Sequence, residues 1–325
     1  NNAFPCDLVI DIIASVAYFY LQQERENMTT TILSLGGGVD STALLAIDLH
    51  RDEAADLLGM DRADLDRLYP KLDQVVFSDT GAEFDETYDN IALARKKCMA
   101  AGLPFTIVSK KTSSGRSIKE DLPEFLNRLG CLPTMPGQSH LCSVKFKGEV
   151  MTSWAEDNFT GEIQFVIGIE ANEGRRTRFK MKKKKNTKNT YTPIYPLVAL
   201  DLDRSKCEMV LRHLWDGAVR KSSCFFCPYM QEGEIAELIN ENPEKWEAVK
   251  AIEENFRQTS IVKHQKWIDA GKPTRSDGKA PEGMWSRDSY AEGKRLFAKT
   301  IGGKQLSAVE WEARLKKGQL QLFAA

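Results

Sequence analysis

Residues 32–42 read Ile-Leu-Ser-Leu-Gly-Gly-Gly-Val-Asp-Ser-Thr, and no other stretch constrains the fold as much. A short apolar run meets three glycines, and Ala43 to Leu49 continues as a helix former. The order is strand, tight turn, helix N-terminus. Glycines let backbone N–H groups approach an anion closely, and the helix start adds the positive end of its dipole. Ser34, Gly36, Gly37, Gly38, Asp40, Ser41 and Thr42 are therefore the first candidate binding residues, with Ser41 and Thr42 offering hydroxyl donors. No Gly-Lys-Ser/Thr follows, so this is not a Walker A loop.

The rest of the pattern alternates. Thr29–Leu35, Gln74–Ser78, Pro104–Ser109 and Ile163–Ile169 read as short strands. Arg51–Tyr69, closed by Pro70, and Phe84–Ala101 read as helices. Alternation of this kind predicts an α/β fold with a doubly wound, mostly parallel sheet, and ligands beyond the carboxyl ends of its strands. Thr190–Cys227 reads as mixed, Gln231–Phe256 as mainly helical, Lys263–Trp285 as irregular and Ser307–Leu320 as a closing helix. The expected division is an N-terminal extension over 1–27, a sheet domain over 28–190, and a smaller, cysteine-bearing, largely helical region over 191–325.

Asp79, Thr80, Gly81 and Glu83 follow the second strand. A carboxylate there can hold a ribose, an amino group or magnesium; the alternative is a turn that caps the next helix. Lysine and arginine total 45 against 46 acidic residues, so no global field announces a polyanion. Locally, Arg175–Lys185 concentrates positive charge, either as a solvated loop or as a nucleic-acid contact. Asp7 and Asp11 interrupt the apolar part of residues 3–20, and no run reaches transmembrane length. The expectation is a cytoplasmic protein with no membrane partner. In a reducing compartment, seven cysteines against four histidines suggest metal or catalysis more than disulfides. Cys142, Cys207 and the Cys224-Phe-Phe-Cys227-Pro segment stand out. Four thiolates suit zinc or an iron–sulfur cluster, and the C-x-x-C pair alone would equally suit a redox disulfide.

These stretches carry a joint resemblance over roughly residues 30–230. Gly36–Ser41 resembles the pyrophosphate-binding loop of the ATP pyrophosphatases, Ser-Gly-Gly-x-Asp-Ser, with Gly36 at the first serine. Phe77–Glu83 resembles the Asp-Thr-Gly segment of the phosphoadenylyl-sulfate (PAPS) reductase branch. Val166–Arg176 is similar to that branch's Gly-Ile-Arg-x-x-Glu-x-x-Arg segment: Gly168, Glu173 and Arg176 match, and Glu170 stands where arginine is usual. Cys142-Ser-Val-Lys145, Tyr195-Pro-Leu197, Cys207 and Ser222-Ser-Cys-Phe-Phe-Cys-Pro-Tyr229 resemble its iron–sulfur members. No cysteine follows Cys227, as a PAPS reductase tail needs, and Leu141 precedes Cys142 where APS reductases have a Cys-Cys pair. The nearest remaining likeness is to the sulfur-transfer ATPases of bacterial DNA phosphorothioation systems, the DndC and SspD type.

The resemblance implies an adenine nucleotide alpha hydrolase-like fold and cleavage of ATP to AMP and pyrophosphate, with magnesium. It implies that Asp40 and Ser41 serve the loop chemistry and that Lys145 and Arg176 offset charge on the α-phosphate. It implies an iron–sulfur cluster, of the 4Fe–4S kind with zinc as the alternative, on Cys142, Cys207, Cys224 and Cys227. The implied partners are nucleic acid (DNA ahead of tRNA), a cysteine desulfurase as sulfur donor, and other modification-system subunits. The alternatives are a tRNA or other nucleic-acid thiolase whose cluster has three cysteines, a PAPS/APS reductase-like enzyme, and a non-catalytic nucleotide-sensing, DNA-binding subunit.

Overall fold

The computed structural model describes residues 29–111, 119–133, 141–178, 187–217, 219–272 and 295–323. Its centre is a five-stranded parallel sheet of β1 (Thr29–Leu35), β2 (Gln74–Asp79), β3 (Phe105–Ser109), β4 (Gly161–Ile167) and β5 (Asn189–Ile194), ordered β3-β2-β1-β4-β5. Strands of a parallel sheet covered on both faces should be near-continuous apolar runs. Ile32 and Leu33, Val75 to Phe77, and Phe165 and Val166 meet that demand, all at 3% exposure or less. The period of two sends Ile32, Val76, Ile163 and Phe165 to one face, against Met151 and Ala155. Leu33, Leu35, Val75, Phe77 and Val166 pack on the other face. Each such fully buried side chain contributes about 1.5–3 kcal/mol.

Helices cover both faces, as a doubly wound α/β fold requires. In chain order the longer helices of the whole chain are α1 (Val39–Leu49), α2 (Arg51–Leu58), α3 (Arg62–Leu68), α4 (Asp85–Ala100), α5 (Leu122–Leu129), α6 (Glu149–Asn158), α7 (Arg204–Leu214), α8 (Glu232–Glu241), α9 (Pro243–Asp269) and α10 (Ala308–Phe323). The single helix expected over Arg51–Tyr69 is two, because Gly59 ends α2 in the left-handed region at φ 65°. Buried Arg51 ties the pair together, reaching Asp66 at 2.7 Å and the Tyr69 carbonyl at 2.8 Å. Of the segment expected to be irregular over Lys263–Trp285, residues 263–269 are instead the last part of α9, and residues 273–285 lie outside the described residues.

Strand order fixes where a ligand can sit. From β1 the chain steps outward through β2 and β3, and then returns to β1's other side as β4. Connections after β1 and β4 therefore diverge, and this reversal opens the crevice that open α/β sheets use for binding.

The chain divides into two compact units. One gathers the described parts of Asn1–Ser78, Asp85–Val108 and Met151–Ser222; the other gathers those of Asp79–Phe84, Ser109–Val150 and Ser223–Ala325. The cut expected at 190 is not where they separate: β5 starts at Asn189 and is hydrogen-bonded to β4, and Ser109–Val150 belongs with the second unit. That unit is largely helical, with its own core of Leu126, Phe146, Phe226, Ile235, Trp246 and Trp311. Buried Glu253 accepts from the Leu296 and Ala308 backbone N–H groups at 2.9 and 2.7 Å, fixing both segments to α9. The 1–27 extension and Lys182–Lys185 lie outside the described residues. Among the described residues, no helix is long and apolar enough to cross a membrane.

Candidate nucleotide site and cysteine group

In the first unit, β1 ends at Leu35 and α1 starts at Val39, leaving Gly36–Gly38 as the whole turn. Gly37 takes φ 73°, which L side chains rarely adopt, and a Cβ there would fall 2.9 Å from Thr87 Cγ2. Gly168, just past β4, lies so close to the loop that a Cβ on it would meet Ser41 N at 2.8 Å. The ends of β1 and β4 are thus in contact at the strand-order reversal. Ser41 Oγ accepts from Gly36 N at 3.0 Å and donates to the Gly38 carbonyl at 3.3 Å, so this hydroxyl shapes the loop.

Two expected hydroxyls are turned elsewhere. Ser34 Oγ faces the Met151 sulfur at 3.4 Å. Thr42 is fully buried and its Oγ1 accepts from Asn90 Nδ2 at 3.0 Å. Asn90 also donates to the Gly37 carbonyl at 2.9 Å and accepts from Trp215 Nε1 at 3.0 Å. This buried amide, which nothing in the sequence pattern singled out, braces the loop from α4.

Asp40 opens α1. Its Oδ2 accepts from Arg204 at 3.0 Å, while its Oδ1 is buried with no hydrogen-bond partner. Burial pushes its pKa above the usual carboxylate value, Arg204 opposes that, and Glu173 and Glu170 reinforce it. An unsatisfied carboxylate oxygen at a helix N-terminus is a donor suited to a hard cation. Arg176 and Glu173 pair at 2.5 Å on the helical turn Ala171–Arg178 that follows β4, and Arg176 remains largely exposed. Glu170, where the resemblance expects arginine, is buried and accepts from Asn172 N at 3.0 Å. It therefore adds negative rather than positive charge near Asp40.

Cys207 belongs to this unit's core. It is fully buried on α7 beside Val210 and Leu211, and burial, with Asp40 adding to it, pushes its thiol up to about 12. Glu170 and Asp203 add to the rise and Arg204 opposes it. Of the four cysteines expected as ligands, Cys207 thus lies in the first unit and Cys142, Cys224 and Cys227 in the second. The helical period that places Val210 and Leu211 inside places Cys207 inside as well.

The second unit holds the other three. Cys142 starts a π-helical segment, Cys142–Gly148, and Cys224 and Cys227 bracket a tight turn closed by Cys227 N to Cys224 O at 3.0 Å. The Cys224 thiol is held well above its usual value by a hydrogen bond with Cys227 and by burial, with Glu83 and Cys142 adding to this. Burial likewise raises Cys142, and Lys147 opposes it. Among the described residues no three His, Cys, Asp or Glu side chains already converge as metal ligands. Within the second unit, Cys142, Cys224 and Cys227 act on one another.

Lys147, not Lys145, stands beside these cysteines. Lys145 pairs with Glu149 at 2.7 Å one helical turn on. Lys147 lies 3.5 Å from Glu83 Oε1; burial works against its charge, but Glu83, Cys142 and Cys224 outweigh it and hold the pKa above the usual lysine value. Glu83 pairs through its backbone with Cys224, accepts from Thr80 Oγ1 at 3.2 Å, and keeps Oε2 buried and unpartnered. Asp79 accepts from Gly81 N at 2.8 Å and from Lys119 at 2.9 Å. Gly81 sits at φ 70° with Asp121 against it. Asp79, Thr80, Gly81 and Glu83 thus form a braced turn of the second unit.

No family model matches the chain. Over 279 residues, 81% of the chain, it is 25% identical to a Methanocaldococcus jannaschii protein described as Uncharacterized protein MJ0066. The match covers 49% of that protein, so the chain spans about half the length of this curated relative.

Proposed function

We propose that the chain is an ATP pyrophosphatase that adenylylates an acceptor for sulfur incorporation, with DNA backbone phosphorothioation as the favoured outcome. One observation carries the reading: a glycine turn at the sheet's strand-order reversal, packed against Gly168, with the unsatisfied Asp40 Oδ1 at the start of the following helix. Backbone N–H groups of Gly36–Gly38 and the α1 N-terminus would hold the β- and γ-phosphates. Asp40 Oδ1 fits magnesium, which when bound offsets charge on the phosphates. Exposed Arg176 is free to swing from Glu173 onto the α-phosphate. An acceptor oxygen then attacks the α-phosphorus, the α–β bridging bond breaks, and pyrophosphate leaves with both electrons. The terminal sulfur of a persulfide donor, such as a cysteine desulfurase, would then attack the activated acceptor, AMP leaving with the bond's electron pair, and a second thiol would cleave the remaining S–S bond, leaving the donor as a disulfide. Arg175 and the positive run after it would hold a nucleic-acid acceptor, in the cytoplasm and beside other modification subunits.

Three thiols, Cys142, Cys224 and Cys227, would hold an iron–sulfur cluster, with zinc as the alternative, and Lys147 would offset thiolate charge. A three-cysteine set is what the resemblance to tRNA thiolases implies, and this observation supports a tRNA acceptor as the second reading. Anaerobically purified protein given α-labelled ATP and magnesium should release AMP and pyrophosphate; ADP and phosphate would reject the proposal. Mass spectrometry of DNA and tRNA from cells with and without the protein separates the two acceptors.

A further inference from the structure

The segment 219–222 belongs to the first unit, and Ser222 lies directly over the glycine turn. A Cβ built on Gly38 would come within 2.7 Å of Ser222 Oγ and 2.9 Å of Ser222 N. A Cβ on Gly36 would stand 3.7 Å from the same Oγ and 3.6 Å from Ser41 Oγ. Position 38 must therefore be glycine, because Ser222 brings backbone as well as side chain against it. Ser222 is only partly buried, and among the described residues its hydroxyl makes no hydrogen bond. Ser41 Oγ, by contrast, is engaged by Gly36 and Gly38. Ser222 thus offers, next to the turn, a hydroxyl that is not already spent on the loop itself.

We propose that Ser222 is a phosphate-binding residue of the glycine turn, its hydroxyl donating to the pyrophosphate end of the nucleotide. The inference rests on the function proposed above and deepens it: the cradle is closed by a residue far along the chain from the loop. An anion on the turn would be gripped from the β1–α1 side by backbone N–H groups and from the opposite side by the Ser222 hydroxyl. Hydrogen bonds from a neutral donor to a charged acceptor are among the stronger ones, so a single hydroxyl is measurable.

The test uses the full chain, with inorganic pyrophosphate and magnesium as the binding probe and ATP as substrate. Ser222→Ala should raise the pyrophosphate Kd about tenfold, equivalent to about 1.4 kcal/mol. It should lower kcat/KM for ATP by a similar factor. Its melting temperature should match the wild type, because no hydrogen bond within the described residues is lost. Position 36 has room for a side chain, so Gly36→Ser in the Ser222→Ala background should return a hydroxyl to the same space and recover affinity. Wild-type affinity in Ser222→Ala would overturn the inference and leave the ATP reading standing. Lost affinity that Gly36→Ser does not recover at all would assign the effect to distortion of the turn, and would overturn it too. Wild-type protein that binds neither pyrophosphate nor ATP would overturn the functional proposal itself.

Discussion

Asn90→Ala removes three hydrogen bonds at one stroke: to the Gly37 carbonyl at 2.9 Å, to Thr42 Oγ1 at 3.0 Å and from Trp215 Nε1 at 3.0 Å. A net hydrogen bond is worth about 0.5–1.5 kcal/mol, and more when the abandoned partner cannot reach water. Thr42 is fully buried and Trp215 is 5% exposed, so water cannot replace the lost amide without disturbing the core. The expected loss is about 2–4 kcal/mol, read from urea midpoints by circular dichroism. Trp215→Phe breaks a single member of the network and should cost about 1 kcal/mol. Because both changes act on one shared amide, the double variant should lose less than the sum of the singles. Asn90→Ala should also weaken pyrophosphate binding, since the Gly37 carbonyl no longer holds the turn at its positive φ. A loss below about 0.5 kcal/mol for Asn90→Ala, or one no larger than that for Trp215→Phe, would refute the bracing role, given the per-bond value.

Gly168→Ala drives a methyl into the Ser41 and Asp40 backbone, so turnover should fall at least about tenfold, or roughly 1.4 kcal/mol; Gly174→Ala, with nothing within 4 Å of its Cβ, should be silent in the same assay. The raised pKa of Asp40 gives a signed pH effect: the favourable protonated form is present below the unfolded value of 3.8 and is lost as pH rises through the higher folded value. Asp40→Asn should therefore melt higher than wild type at pH 7 without ligand, with the gain shrinking towards pH 4; a constant difference across that range would refute it. Cys207→Ala should keep any bound iron and sulfide and lose about 1 kcal/mol of stability, whereas Cys224→Ala should lose the metal; equal metal loss in both would restore the four-cysteine set.

The sheet was legible because its central strands must be apolar on both faces, and Ile32, Val76 and Phe165 announce that plainly. β5 was hidden by its position. As an edge strand it is polar at alternate positions and carries Pro193, which pairs opposite Phe165 where a central strand would need an N–H. The end of α9 was misread because Lys263–Asp269 has few apolar side chains to show a period; the helix is set by Trp246, Val249, Ile252 and Phe256 earlier in it. The glycine turn was legible from composition alone, but not its bracing: Asn90, Arg204 and Ser222 lie 50 or more residues away and carry no local signature. The burial of Cys207 was legible in its helical period, since Cys207, Val210 and Leu211 spell a buried face. That Lys147 stands beside the cysteines was not legible, because a π-helical segment changes which side chains share a face.

The strand order also sets a timetable. β1 pairs with β2 on one side and with β4 on the other, and Thr29 lies opposite Glu162, 133 residues further along. At a ribosomal rate of about 5–20 residues per second, β1 emerges roughly 7–27 seconds before its second neighbour. Gly168, which packs against Ser41, follows β4, and Arg204, which holds Asp40, comes later still. The glycine turn is thus made well before the segments that complete it. During that interval β1's open edge and its apolar side chains are exposed to nascent-chain chaperones and to neighbouring copies. Substitutions that slow β4 should lower the yield of folded protein in cells before they change any property of the purified molecule.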